Sequence, residues 1–209
     1  MRSRPSPVAV ALAVGVAALL AVAQAAALTS SKRSAAGSAD RRPPATTPTT
    51  TSPTTTVDPG TLPQERILPS DSDPALAADA RLLWQAIVDG DPAEAMPFFF
   101  PLSAYIQVKA IADPVHDWQT RLVADFEADV MTDHAALGPD PAAAQFTSVS
   151  VPPDAVWVLP GTEYNKGSYY RVYGATLHYS AGGQARSIAI ASMISWRGQW
   201  YVVHLASIR

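Results

Sequence analysis

The stretch GSYYRVYGATLHYSAGGQARSIAIASMISW, residues 167–196, decides the fold. Aromatic and β-branched residues recur with period two on both sides of Gly182-Gly183, a pair that suits a tight turn, so the stretch predicts a β-hairpin. Pairing through that turn puts Tyr169, Arg171, Tyr173, Ala175 and Leu177 on one face with Ile188, Ile190, Ser192, Ile194 and Trp196. The next turn, Arg197-Gly198, adds Tyr201, Val203 and Leu205 to that face. The opposite face carries Tyr170, Val172, Gly174, Thr176 and His178 beside Ala189, Ala191, Met193, Trp200, Val202 and His204. The first set is the greasier, which predicts that it is concave and covered by helices; a slip of one residue would exchange the two sets.

Upstream of the hairpin, AAAQFTSVSVPPDAVWVLP (residues 142–160) also has period two and predicts a further strand. Earlier still the period is helical. DPALAADARLLWQAIVDG (73–90) offers Asp73 as N-cap, Pro74 at the first helical position, an apolar stripe through Leu76, Ala80, Leu83, Trp84 and Ile87, and a stop at Gly90. DPVHDWQTRLVADFEADVMTDHAALG (113–138) spaces Trp118, Leu122, Phe126 and Val130 four apart, the mark of a long amphipathic helix. Between them, FFFPLSAYIQVKAI (98–111) is broken by Pro101 and ends in an apolar run expected to be a short strand. The order predicts an α+β fold, with N-terminal helices packed on a four-stranded antiparallel sheet.

Composition divides the 209 residues into three. Residues 1–28 begin with Arg2 and Arg4, run without charge from Val8 to Leu28 and contain an Ala23-Gln24-Ala25 site, the parts of a secretory signal. The run is also long enough for an uncleaved membrane anchor; its alanine content favours cleavage. Either way the remainder is expected outside the cytoplasm, secreted or anchored to the cell membrane. Residues 29–66, centred on PPATTPTTTSPTTTVDPGTLP, have nothing with which to offset the entropy of ordering, and are expected to be a disordered, polyproline-biased spacer. Residues 67–209 are expected to be the folded domain. With no cysteine in the chain, that domain has neither disulfides nor a lipid-attachment cysteine.

Charge narrows the partners. Between residues 67 and 154, fourteen Asp and Glu oppose only Arg81, Lys109 and Arg121, whereas after 154 Glu163 alone opposes Lys166, Arg171, Arg186, Arg197 and Arg209. A net acidic domain disfavours nucleic acid or an anionic membrane surface as the main partner.

Helices followed by an antiparallel meander that closes on the aromatic strand WRGQWYVV resemble the cone-shaped fold of the nuclear transport factor two-like, or SnoaL-like, superfamily. The likeness spans about residues 74–209 and includes Trp200, Val202 and Leu205 of the terminal strand. The export segment, linker and domain together are similar to the Mce-associated exported proteins of actinobacteria. The resemblance implies a sheet curled round the helices and a pocket inside the cone. It also implies one of two roles: a non-enzymatic accessory or binding module, or an isomerase, cyclase or hydrolase using an Asp or His in that pocket.

The candidate ligand pocket comprises Arg171, Tyr173, Tyr169, Trp196 and Trp118, because a cation and a phenol among aliphatic neighbours need partners that an open pocket can supply. An arginine flanked by aromatic rings suits an anionic head with an apolar tail, so an amphipathic small molecule is one expected partner. Arg171 reaching the rim to pair with a helix carboxylate is the plainer alternative. The opposite face, through Tyr170, His178, Trp200 and His204, is too apolar for plain solvent exposure and is expected to meet an envelope protein or a second copy in a homodimer. His116-Asp117 reads as a helix-start charge, and Asp125, Asp129 and Asp133 as a solvated face. His134, His178 and His204 have no metal-ligand spacing, and no nucleophile elbow, P-loop or dinucleotide fingerprint is present, so no catalytic residue, metal or cofactor is assigned.

Overall fold

The computed structural model describes residues 57–206. The expected signal or anchor segment, 1–28, lies outside the described residues, as does most of the expected linker. Within them the order is helices first, then an antiparallel sheet: α1 (Pro74–Asp89), α2 (Leu102–Val108), α3 (Pro114–Asp117), α4 (Val123–Ala136), β1 (Gln145–Ser150), β2 (Val156–Val158), β3 (Tyr169–Ala181), β4 (Gln184–Trp196) and β5 (Gln199–His204). The fold class is α+β.

α1 starts and stops where its sequence dictates. The Asp73 carboxylate accepts the Ala75 N–H at 2.9 Å, Pro74 occupies the first turn, and Gly90 closes the helix at φ 67°, a left-handed conformation that costs glycine little. Its buried stripe, Leu76, Ala80, Leu83, Trp84 and Ile87, lies on the sheet, where the Trp84 and Tyr179 rings are 4.9 Å apart. A 3-10 segment (Pro92–Phe98) then delivers Phe98, Phe99 and Phe100 into the core, each at most 1% exposed. The Phe100 N–H donates to the Val202 carbonyl, so this segment is tied to β5.

The expected short strand after Phe100 is a helix instead. Residues 102–108 form α2, and only Lys109 makes an extended bridge, to Asn165. Pro101 fits the residue before a helix, and Ala104, Tyr105 and Val108 bury one helical side, so a three-to-four spacing prevails over local strand propensity. The long helix forms as expected but carries a π turn, Trp118–Leu122, between α3 and α4. There the Val123 N–H reaches back five residues to the Trp118 carbonyl.

The sheet has five strands, not four. Pro152 and Pro153 split the stretch 142–160 into β1 and β2, both antiparallel to β3, and the order is β1-β3-β4-β5. The central hairpin has the expected register, with Arg171 opposite Ile194, Tyr173 opposite Ser192 and Leu177 opposite Ile188. Gly182 and Gly183 both have positive φ, as a two-residue hairpin turn requires.

The folded unit begins before residue 67. Asp58 caps a 3-10 turn (Pro59–Thr61), the Pro59 carbonyl accepts the Trp196 indole N–H at 3.0 Å, and Gln64 bonds Ser195 and Arg197. Arg197, a non-glycine residue at φ 50°, is further held by Glu65 and the Pro63 carbonyl. Residues 57–66 therefore belong to the domain, because glutamine, aspartate and backbone carbonyls satisfy sheet and turn groups that composition alone does not reveal. Among the described residues no helix is long and apolar enough to cross a membrane.

Candidate functional site

A pocket of about 290 Å³ opens between α2, β3, β4 and the end of β5. Phe100, Tyr105, Val108, Tyr169, Ile194 and Val203 form apolar walls, and Lys109, Glu163, Tyr164, Arg171, Tyr173, Ser192 and His204 supply the polar groups. Arg171 and Tyr169 reach the pocket because they alternate on β3 with Tyr173, opposite Ile194 and Ser192 of β4.

One wall is a loop clamped to the end of α2. Asn165, 2% exposed, donates to the Leu159 and Gly167 carbonyls at 2.9 and 2.8 Å and accepts the Glu163 N–H at 2.8 Å. The Tyr164 carbonyl accepts the Ala110 N–H, and the Val108 carbonyl accepts from Lys166 and Gly167. Gly167 passes so close to α2 that a Cβ there would lie 3.0 Å from the Gln107 carbonyl oxygen. These bonds carry Glu163 to Arg171, with which it forms an ion pair, and Glu163 also accepts the Tyr169 phenol proton at 2.9 Å. Tyr164, at φ 53° and 81% exposed, stands at the mouth. Its backbone is held in a conformation unfavourable for tyrosine, and that strain is offset by the surrounding clamp.

Behind the opposite wall lies a second charged cluster. The Arg121 guanidinium donates to both oxygens of Asp117 at 2.8 and 2.6 Å, and Tyr105 donates its phenol proton to the same carboxylate. The Arg121 hydrogen bond holds the Asp117 carboxyl below the usual carboxylate range despite partial burial. Burial, then the Asp117 bond, pushes the Tyr105 phenol up. Burial also pushes Tyr169 up to about 12, so both phenols stay protonated at physiological pH. Lys109 makes no ion pair among the described residues; burial, then Arg121, lowers its pKa.

Charges that line the pocket sum to a positive surplus. Arg171 is paired by Glu163, the Asp117–Arg121 pair cancels behind the wall, and Lys109 is left over. The Arg171 guanidinium also lies 4.3 Å from the Tyr173 ring centre, a cation–π contact that holds it toward the pocket. Two buried polar atoms here lack protein partners: Nε of Arg171 and Nε2 of His204. Nδ1 of His204 is 2.8 Å from Ser192 Oγ. Burial, then the charges of Arg121 and Lys109, lower the His204 pKa, with Asp125 and Asp129 opposing.

Of the residues assigned from sequence to the pocket, Arg171, Tyr173 and Tyr169 meet there, with Tyr173 47% exposed at the mouth. Trp196 and Trp118 do not line it. The Trp196 indole donates to Pro59, and that of Trp118 donates to the Phe100 carbonyl at 2.8 Å with its ring against Phe99. Of the residues assigned to the outer face, Tyr170 packs on Trp157 of β2 with ring centres 4.8 Å apart, and His178 bonds Ser150 of β1 at 2.9 Å. Trp200, 3% exposed, lies beneath residues 68–71, the start of α1 and the 151–155 turn.

His204 is a correction: it faces the pocket, not the outer side. Met193 pairs with Val202 but Ser192 pairs with His204, so Val203 is an extra residue in β5. Such a bulge sets two residues opposite one and reverses the alternation beyond it. Sequence reading also left out Lys109, Tyr105, Glu163 and Tyr164. The first two were hidden by reading residues after Phe100 as a strand; for the loop, Gly161 and Gly167 about a buried asparagine were the available signal. Among the described residues no group of three or more His, Asp or Glu is placed to hold a metal ion. Compared with known proteins, the chain matches no family model, no curated protein and no solved structure.

Proposed function

We propose that this chain is an exported binding domain of the cell envelope that takes a small anionic ligand with an apolar body into the pocket. The observation that carries this reading is Arg171, a cation held against Tyr173 in an aromatic-walled pocket that Lys109, without an ion pair among the described residues, also lines. A few polar groups set in a mostly apolar concavity are the usual make-up of a small-molecule site, and the volume lies at the small end of that class. Helices against an antiparallel sheet with a pocket between them also suit the cone-shaped arrangement that the resemblance implies. The uncharged run 8–28 and the Thr/Pro tract behind it support export, with the domain held away from the membrane or wall.

A partner or homodimer contact through the outer face is less well supported, because Trp200 and Met193 are already covered by this chain itself. A second reading, a small-molecule enzyme of the SnoaL-like kind, is favoured by one observation: an imidazole with an unpartnered nitrogen lies in the pocket.

The test is native mass spectrometry of protein purified from its own envelope, set against Arg171→Leu. A co-purifying acid that is lost in the variant supports the binding reading. Protein without a bound acid, and unmoved in melting by added medium-chain acids, opposes it.

A further inference from the structure

Tyr164 sits against its own backbone preference. At φ 53° it occupies the left-handed region, which glycine and asparagine enter readily and a bulky side chain does not. The conformation is imposed from both sides. The Tyr164 carbonyl accepts the Ala110 N–H at 2.8 Å, and the next residue, Asn165, donates its side-chain N–H groups to the Leu159 and Gly167 carbonyls. None of these bonds uses the tyrosine ring, so glycine or asparagine at 164 would close the same turn with less strain. The ring therefore owes its place to something other than the turn.

That ring is 81% exposed and lines the mouth of the pocket. The other well-exposed aromatic wall is Tyr173 of β3. The two differ in freedom. The Arg171 guanidinium lies 4.3 Å from the Tyr173 ring centre and is itself paired with Glu163, so the Tyr173 ring is held. Tyr164 joins a fixed backbone to a ring that stands in solvent, and rotation about its side-chain bonds is enough to move that ring across the opening it lines. Deeper in, the walls are Phe100, Tyr105, Tyr169, Ile194 and Val203, each at most 9% exposed. An apolar occupant of that interior leaves part of its surface facing water at the mouth, and the free ring is the group placed to cover it.

Resting on the binding reading above, we propose that Tyr164 is a ligand-binding residue that turns over the mouth onto the bound acid, and that the strained backbone at this position is kept for the sake of that ring. A ring that closes after entry slows departure and leaves arrival unchanged. The free protein is then more stable without the ring, because its removal releases strain and gives up little burial.

The experiment is an NMR line-shape titration of the full chain with decanoate, which yields association and dissociation rates, together with melting of the free protein. In Tyr164→Asn, dissociation should be about fivefold faster with association unchanged, as loss of one covering ring implies. The free variant should melt at a higher temperature than the unmodified protein. Tyr164→Phe keeps the ring and should keep the slow dissociation. In the unmodified chain, decanoate should shield Tyr164 from nitration by tetranitromethane, read by peptide mass spectrometry. Unchanged dissociation in Tyr164→Asn, a lower melting temperature of that free variant, or nitration of Tyr164 indifferent to decanoate each overturns the role of Tyr164. Decanoate binding that Arg171→Leu abolishes leaves the binding reading standing in all three cases. No binding of decanoate to the unmodified chain overturns both.

Discussion

His204 and Ser192 are cross-strand partners on the pocket side of the sheet, with Nδ1 and Oγ 2.8 Å apart, although alternation from Trp200 would put the histidine on the opposite face. The extra residue Val203 makes this possible. It lets β5 bury Trp200 and Val202 on one side and still deliver an imidazole to the other.

Removing the serine hydroxyl should therefore cost stability. Ser192→Ala leaves Nδ1 of a half-buried imidazole without its partner, and the expected loss is about 1–3 kcal/mol. Urea unfolding measures it. If the double variant Ser192→Ala with His204→Phe is no worse than the single one, the loss lies in the orphaned nitrogen and not in packing around position 192.

Asn165 is expected to matter as much, although it touches no ligand group. Its side chain makes three bonds that fold the 159–167 loop against α2 and set Glu163 on Arg171. Asn165→Ala should destabilise by about 1–3 kcal/mol, since it leaves the Gly167 carbonyl and the Glu163 N–H without their partner and removes one of two donors to the Leu159 carbonyl. It should also make the amides of Glu163 and Ala110 exchange hydrogen faster, because they bond the Asn165 side chain and the Tyr164 carbonyl, while exchange in β3 and β4 stays slow.

Much of this fold was legible because its signals are periodic. The Gly182-Gly183 hairpin, the capped α1 and the four-residue spacing from Trp118 to Val130 each express a backbone period that sequence carries directly. Half of the site rests on departures from period, and those were not legible. A single bulge residue turned His204 round, a seven-residue helix stood where a strand was expected, and a buried asparagine folded a loop over the pocket. Arg171 and Tyr173 were recognisable because they interrupt an otherwise greasy strand face.

The domain boundary gives a further prediction. Fragment 67–209 lacks the Pro59 carbonyl that Trp196 bonds and the Gln64 side chain that holds Ser195 and Arg197, whereas fragment 57–209 keeps them. At roughly 2–4 °C per kcal/mol for a domain of this size, loss of these bonds and of the burial over Trp196 should lower Tm by about 10 °C. Melting followed by circular dichroism compares the two fragments; equal midpoints would return residues 57–66 to the linker.

Asp133 gives the pH dependence. Burial, then the charge of Asp129, raises its pKa from 3.8 to about 6, and Asp129 is itself fixed by the Ala206 N–H. A folded-state value above the unfolded one means that the native chain holds this proton more tightly. Its contribution to stability is therefore present at acid pH and lost as pH rises from 3.8 to about 6. Asp133→Asn should stabilise the domain at neutral pH, by about 1 kcal/mol once solvent screening of this partly exposed carboxyl is allowed for, and by nothing measurable near pH 4. Denaturant melts at the two pH values check the sign.

The central claim is that an acid's carboxylate sits between Lys109 and Arg171, and amide-resolved NMR titration tests it most directly. Decanoate, added to the isotope-labelled domain, should give saturating shifts confined to Lys109, Tyr164, Arg171, Tyr173, Ser192 and His204. Lys109→Met should weaken them about tenfold, as expected when one charge-assisted hydrogen bond is lost. Shifts scattered over the surface, or a saturating response that Lys109→Met and Arg171→Leu leave unchanged, would contradict the account.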